Sequence, residues 1–217
     1  IILETDFENP IDSMQILEGA ENNLFYNYLK KKKQCNHKLE ILADFLRIYP
    51  NDDDYYRKTQ KQFNLLQNEL SSYSNKLINK YPNAFFTKII LIEQSPFLNG
   101  ELTDNQRIDI LKEQFFKLSD FEDSLLLNTD ALSNKILAYL SLYRKSHYSS
   151  EQQSSEFIKA TDVILSKAKT GNTQVFNFVF NHLIHGFNQI KQNDVLVYIT
   201  ENYSTKNNCE IDDPKLK

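Results

Sequence analysis

From residue 20 onward, apolar side chains recur every three or four positions, the spacing of helices with one buried face. Leu24, Phe25, Tyr28 and Leu29 start the first such stripe, which continues through Leu39, Leu42, Phe45 and Leu46 to Tyr49. The polar stretch 34–38 leaves room for a break in it. Asp52, Asp53 and Asp54 open a second helix, where acids suit the positive end of the helix dipole. Phe63, Leu66, Leu70, Tyr73, Leu77 and Tyr81 form its stripe, and Pro82 ends it. Asn83 is placed to cap the very apolar run 84–92.

Beyond the loop 94–100, Thr103 with Gln106 makes a capping box for a helix carrying Ile108, Leu111, Phe115 and Phe116. Residues 120–127 read as a turn, and Leu132, Ile136, Tyr139, Leu140 and Tyr143 as the next apolar face. Ser150 with Gln153 is expected to box a helix bearing Phe157, Ala160, Ile164 and Ala168, closed by Gly171 in a left-handed conformation. Asn172 caps the stripe Phe176, Phe180, Leu183 and Phe187, in which Gly186 is expected to permit close packing. Asn193 caps a last helix with Leu196, Ile199 and Tyr203, and a polar tail follows from Ser204.

Before Ala20, the short apolar pieces 1–5 and 13–17 flank Asn9 and Pro10 and read as an extended or β lead-in. The sequence thus predicts an all-α fold, an irregular multi-helix bundle of about seven to nine helices with a short β lead-in. The lead-in spans 1–19, as the tail of a preceding β domain, and the helical domain spans 20–217. No fixed repeat period supports a solenoid.

Composition agrees with long helices. Only four Gly and five Pro interrupt 217 residues. Fifteen Phe and twelve Tyr, with one Met and no Trp, predict a core of Phe, Tyr, Leu and Ile. The net charge of −4, with acids and bases interleaved, gives no basic footprint for nucleic acid. The longest apolar run, 89–92, is far too short to span a bilayer. The chain opens on Ile1 rather than Met and is expected to be a piece of a longer protein.

Candidate chemistry is sparse. His182 and His185 sit three apart on one helix, but a metal needs a further ligand and only His37 and His147 remain; no metal site is assigned. Lys30, Lys31, Lys32 and Lys33 point around most of a helix and read as a solvated surface. The three aspartates at 52–54 lack the alternation and glycine of a calcium loop. Cys35 and Cys209 stand at opposite ends of the chain and make no C-x-x-C; a disulfide would need the fold to join those ends. There is no nucleophile elbow and no glycine-rich phosphate loop, so no catalytic or cofactor-binding residue is assigned.

Four segments carry a family likeness: NPIDSMQILEGAENNLFYNYL (9–29), KYPNAFFTKII (80–90), FFKLSDFEDSLLLNTDALSNKILAYL (115–140) and HLIHGFNQIKQNDVLVYITENY (182–203). In these the chain resembles the helical middle domain, of unknown function, of Bacteroidetes-type thioredoxin-like thiol-disulfide oxidoreductases. The family's Leu-Leu-x-Thr-Pro turn stands here as Leu126, Leu127, Asn128, Thr129 and Asp130, with Asp as the turn and cap residue. The resemblance implies a non-catalytic domain that spaces, orients or supplies partner contacts for a thioredoxin domain C-terminal to it, with a β domain before it. It implies a periplasmic or cell-envelope setting, in a lipoprotein or otherwise, and cysteine-containing proteins as substrates of the parent. The family's C-x-x-C is missing from this chain, so no redox role passes to Cys35 or Cys209. From a different class, a stand-alone helical module that binds a peptide or protein in an apolar groove fits the same residues.

Overall fold

The computed structural model describes residues 2–8 and 13–204. It is all-α apart from a two-stranded antiparallel lead-in, β1 (Ile2–Glu4) with β2 (Gln15–Glu18), in which Leu3 faces Ile16. Both strands are largely exposed. Eight α-helices follow among the described residues: α1 (Ala20–Ile48), α2 (Asp54–Lys80), α3 (Phe85–Glu93), α4 (Asp104–Gln114), α5 (Ala131–Ser141), α6 (Ser150–Lys169), α7 (Thr173–Gln189) and α8 (Asn193–Tyr203). The chain divides into two compact units, Ile1–Phe115 and Phe116–Lys217, where the sequence reading drew its boundary at residue 19.

In the first unit, α1 is one unbroken helix of 29 residues, so the break considered at 34–38 does not occur. Its polar stretch contains good helix formers and no Gly or Pro, and Cys35 is buried within it. Tyr28, Cys35 and Leu46 are its fully buried residues; spacings of seven and eleven keep them on one side, facing α2. Tyr28, Leu77, Phe86 and Ile90 form the core where α1, α2 and α3 meet, with Leu24, Phe25, Tyr73 and Tyr81 packed against it. At the other end Phe45 stacks on Tyr49 with ring centres 4.3 Å apart and meets Tyr55 edge-on at 5.6 Å. Asp53 caps α2 by accepting from the Tyr55 N–H, as its place at the helix start suggests.

Asn83 does not cap α3. The Phe85 N–H donates instead to Glu21 Oε1 at 2.9 Å, a carboxylate of α1 sixty-four positions earlier. The Thr103–Gln106 box at α4 forms as read. That helix buries Arg107, while Ile108 and Leu111 are only half-buried.

In the second unit, Phe116 packs on Tyr139 at 4.7 Å and on Phe121 at 5.7 Å, and the hydroxyls of Tyr139 and Tyr143 bond at 2.9 Å. The turn read at 120–127 includes most of a 3-10 segment, Ser124–Asn128, that buries Leu126 and runs one residue further. Asp130 starts α5 without a side-chain cap; the Thr129 hydroxyl accepts the Ala131 N–H instead. The α6 box is made by Ser149 and Gln152, one position earlier than Ser150 and Gln153. Gln153 faces inward there, accepting from the Lys145 N–H and donating to the Tyr143 carbonyl. Asn172 caps α7 as expected, at 2.8 Å from the Gln174 nitrogen. Asn193 does not cap α8: the N-cap is Gln192, which accepts from Ser154 on α6.

Helices α6, α7 and α8 pack on one another through Ala160, Ile164, Leu165, Val179 and Ile199, all with essentially no exposure. Val and Ala thus join the expected Phe, Tyr, Leu and Ile in the core. Asp162 on α6 anchors α8 by accepting from the hydroxyls of Tyr198 at 2.8 Å and Tyr203 at 2.5 Å. That hydrogen bond, then burial, pushes the Tyr198 phenol up to about 12.

Both helix-related glycines depart from their expected roles. Gly171 is not left-handed. It is required by space: a Cβ there would meet the Phe121 carbonyl oxygen at 2.5 Å, beside the bond that this oxygen accepts from the Asn172 N–H. Gly186 has nothing within 4 Å of where a Cβ would stand, so no close packing depends on it. Alanine at the two positions should therefore act with opposite sign. Gly171→Ala is expected to cost at least about 2 kcal/mol in urea unfolding, whereas Gly186→Ala should gain up to about 1 kcal/mol from helix propensity.

Candidate functional site

A cleft of about 390 Å³ opens in the first unit between α1, α2 and the segment that follows α3. Helix α1 contributes one stripe running from Tyr28 through Lys32, Asn36 and Leu39 to Ala43. Helix α2 faces it from Phe63 through Gln67, Leu70 and Ser71 to Ser74. At 1.5 Å per helical residue these stripes are about 22 and 16 Å long. That is the length of about five to seven residues of extended chain. Glu93 to Leu98 form the third wall.

Beyond Glu93, the last residue of α3, that third wall has no helix or sheet of its own, and α2 holds it with amide side chains. Gln67 donates from Nε2 to the Leu98 carbonyl and accepts at Oε1 from the Leu98 N–H, both at 2.8 Å. Asn64, one turn earlier, accepts from the Gly100 N–H at 2.7 Å and donates to the Asn99 side chain at 3.0 Å. Gln60, a turn earlier again, donates to the Gly100 carbonyl at 3.2 Å. Residues four and three apart share a face of the helix, so 60, 64 and 67 form a ladder along α2 that replaces the ladder of a neighbouring strand. Gly100 fits tightly against it, since a Cβ would lie 3.0 Å from the Gln60 carbonyl oxygen. Arg107 closes the arrangement, donating to the Gly100 carbonyl at 3.0 Å and lying over the Phe63 ring.

At the inner end of the cleft, Lys32 and Glu93 pair at 2.8 Å, each side chain roughly three-quarters buried. Burial, then the nearby Glu93 carboxylate, holds the Tyr28 phenol well above its ordinary range, against a hydrogen bond with Ser74 that lowers it. The phenol is therefore neutral at any physiological pH. Lys31 pairs with Glu69 of α2, which raises the lysine and lowers the carboxylate. Two of the four consecutive lysines thus tie α1 to α2 and to the end of α3 instead of forming a purely solvated surface.

The remaining candidates are scattered. His182 is half-buried and stacked on Phe178, with its imidazole held below the ordinary value by burial and then by His185. His185, His37 and His147 are exposed, and His147 rests against Tyr148. Among the described residues no group of three or more His, Cys, Asp or Glu is arranged to hold a metal. Asp54 pairs with Arg57 at 2.9 Å. Cys35 is buried in α1, and Cys209 lies outside the described residues. No described helix is long and apolar enough to cross a membrane.

Sequence reading missed the amide ladder, although its signal is present: Gln60, Asn64 and Gln67 at helical spacing beside the loop 94–100. On a helix such residues read as solvated surface until a loop is known to lie on them. Gln67→Ala would leave both backbone groups of Leu98 without their partners and should cost about 1–3 kcal/mol in chemical unfolding of the first unit. Gln67→Glu keeps an acceptor for the Leu98 N–H but sets a carboxylate oxygen against the Leu98 carbonyl, and should cost at least as much. Comparison with protein-family models, with curated proteins and with solved structures found no match to this chain.

Proposed function

We propose that this chain is a non-catalytic helical module that holds an extended segment of a partner protein in the cleft between α1 and α2. The observation that carries this reading is the way the cleft treats its own wall. Gln67 takes both the N–H and the carbonyl of Leu98, so α2 already presents side chains suited to grip extended backbone. Leu39, Ala43 and Leu70 add apolar surface beside it for alternate side chains of a bound segment. The polar groups Asn36, Asn68 and Ser71 stand along the same opening.

The setting of this role comes from the family resemblance of segments 9–29, 80–90, 115–140 and 182–203. In that setting the module serves a thioredoxin-like domain of the same cell-envelope protein, and the segment it holds belongs to a cysteine-containing protein substrate. Holding such a segment extended would present its cysteines to a redox site, because thiol–disulfide exchange needs an accessible sulfur. A stand-alone peptide-binding module would use the same cleft.

The test uses reduced, carboxamidomethylated insulin B chain as an extended probe, followed by NMR. Chemical-shift changes are expected at Asn36, Leu39, Asn68 and Ser71, and Ser71→Trp, which fills the cleft from an exposed position, should abolish them. Binding that ignores Ser71→Trp, or no binding, would overturn the cleft as the site. In a separate insulin-reduction assay with dithiothreitol the chain should leave the background rate unchanged; turnover would overturn the non-catalytic reading.

A further inference from the structure

The second unit contains a cavity of its own, about 310 Å³, bounded by the end of α5, by Phe157 of α6 and by the last two turns of α7. Its volume lies at the lower end of the range for small-molecule sites. Leu140, Phe157, Leu183 and Phe187 line it, and Leu137 and Ile190, each more than half exposed, form apolar lips. Gly186 lies in the wall, and with nothing within 4 Å of its missing Cβ it is one reason the space is open.

The polar side chains of the cavity are few, Ser141, Arg144, His182 and Gln189, and Arg144 is the one permanently charged group among them. Arg144, just beyond α5, reaches it from an exposed position, and among the described residues no carboxylate pairs with that guanidinium. His182 also lines it, one turn before Gly186. Its burial favours the neutral imidazole, which supplies an N–H donor without a second charge. The Ser141 hydroxyl is already engaged with the Ala138 carbonyl, and no acidic side chain lines the cavity. A half-open apolar pocket with one unpaired cation at its mouth is complementary to an apolar body carrying one negative head.

We propose that this cavity is a binding site for a small amphipathic carboxylate, its hydrocarbon chain between α5 and α7 and its carboxylate at Arg144. The site is distinct from the cleft of the first unit and does not depend on the role proposed for that cleft. Arginine suits a carboxylate through paired N–H donors, and the length of hydrocarbon that fits selects short and medium chains over long ones.

The test is an NMR titration of the whole chain with octanoate, octan-1-ol and octylammonium. Octanoate should saturate one site and shift the signals of Leu137, Leu183, Gly186 and Ile190. The alcohol, lacking the charged head, should bind about tenfold more weakly, and octylammonium should not compete. Arg144→Gln should reduce octanoate to the affinity of the alcohol. Gly186→Leu should block both ligands while folding normally, because it fills open space and improves helix propensity. Octylammonium binding as well as octanoate, octanoate binding retained in Gly186→Leu, or no octanoate binding at millimolar concentration would each overturn the proposal.

Discussion

The bonds from Gln60, Asn64 and Gln67 to residues 98–100 are the constraint on which the first unit depends. A loop beside a helix must satisfy its backbone groups somewhere, and most loops do so with water at the surface. Here α2 takes that task with side chains, so the segment after α3 runs close along the helix. Its path forms the third wall of the cleft. It also carries the Gly100 carbonyl to Arg107, which explains why α4 buries an arginine where its stripe offered Ile108 and Leu111.

The two units reach order by different means. The first relies on polar ties between elements distant in sequence: Glu21 to Phe85, Lys31 to Glu69, Lys32 to Glu93, and the amide ladder. The second is a closer-packed arrangement of α6, α7 and α8 around small and β-branched residues, with polar bonds at its edges, as at Asp162. An open cleft is easier to keep where polar side chains hold the walls apart. The cavity of the second unit lies outside that core, where Gly186 is exposed and carries no side chain.

This contrast also explains what the sequence could reveal. Helical spacing located the helices other than α3, which read as a continuous apolar run, because the apolar stripes depend only on neighbours three and four positions away. Local caps at Thr103 and Asn172 were legible for the same reason. At Ser149 and Ser150 two boxes one residue apart satisfy the same pattern, and only the inward turn of Gln153 decides between them. Where the partner is remote the pattern fails: Glu21 supersedes Asn83, and the N-cap of α8 is Gln192, whose side chain bonds to Ser154 of α6 and not to the start of its own helix. Gly171 follows the end of α6 as read, but close approach to Phe121, not a left-handed turn, is what requires glycine there. The cleft was illegible as a site because its polar residues belong to types that cover any solvated helix, and the cavity because its signal is an absent side chain.

The account stands most directly on the amide protons of Leu98 and Gly100, which it places in hydrogen bonds to Gln67 and Asn64 within a segment of no regular structure. Native-state hydrogen exchange reads both. Held by α2, both should exchange about as slowly as its buried turns, and in Gln67→Ala the Leu98 amide should speed up more than that of Gly100, which keeps its bond to Asn64. Exchange of both at the rate of an open surface loop, with α2 still protected, would contradict the account.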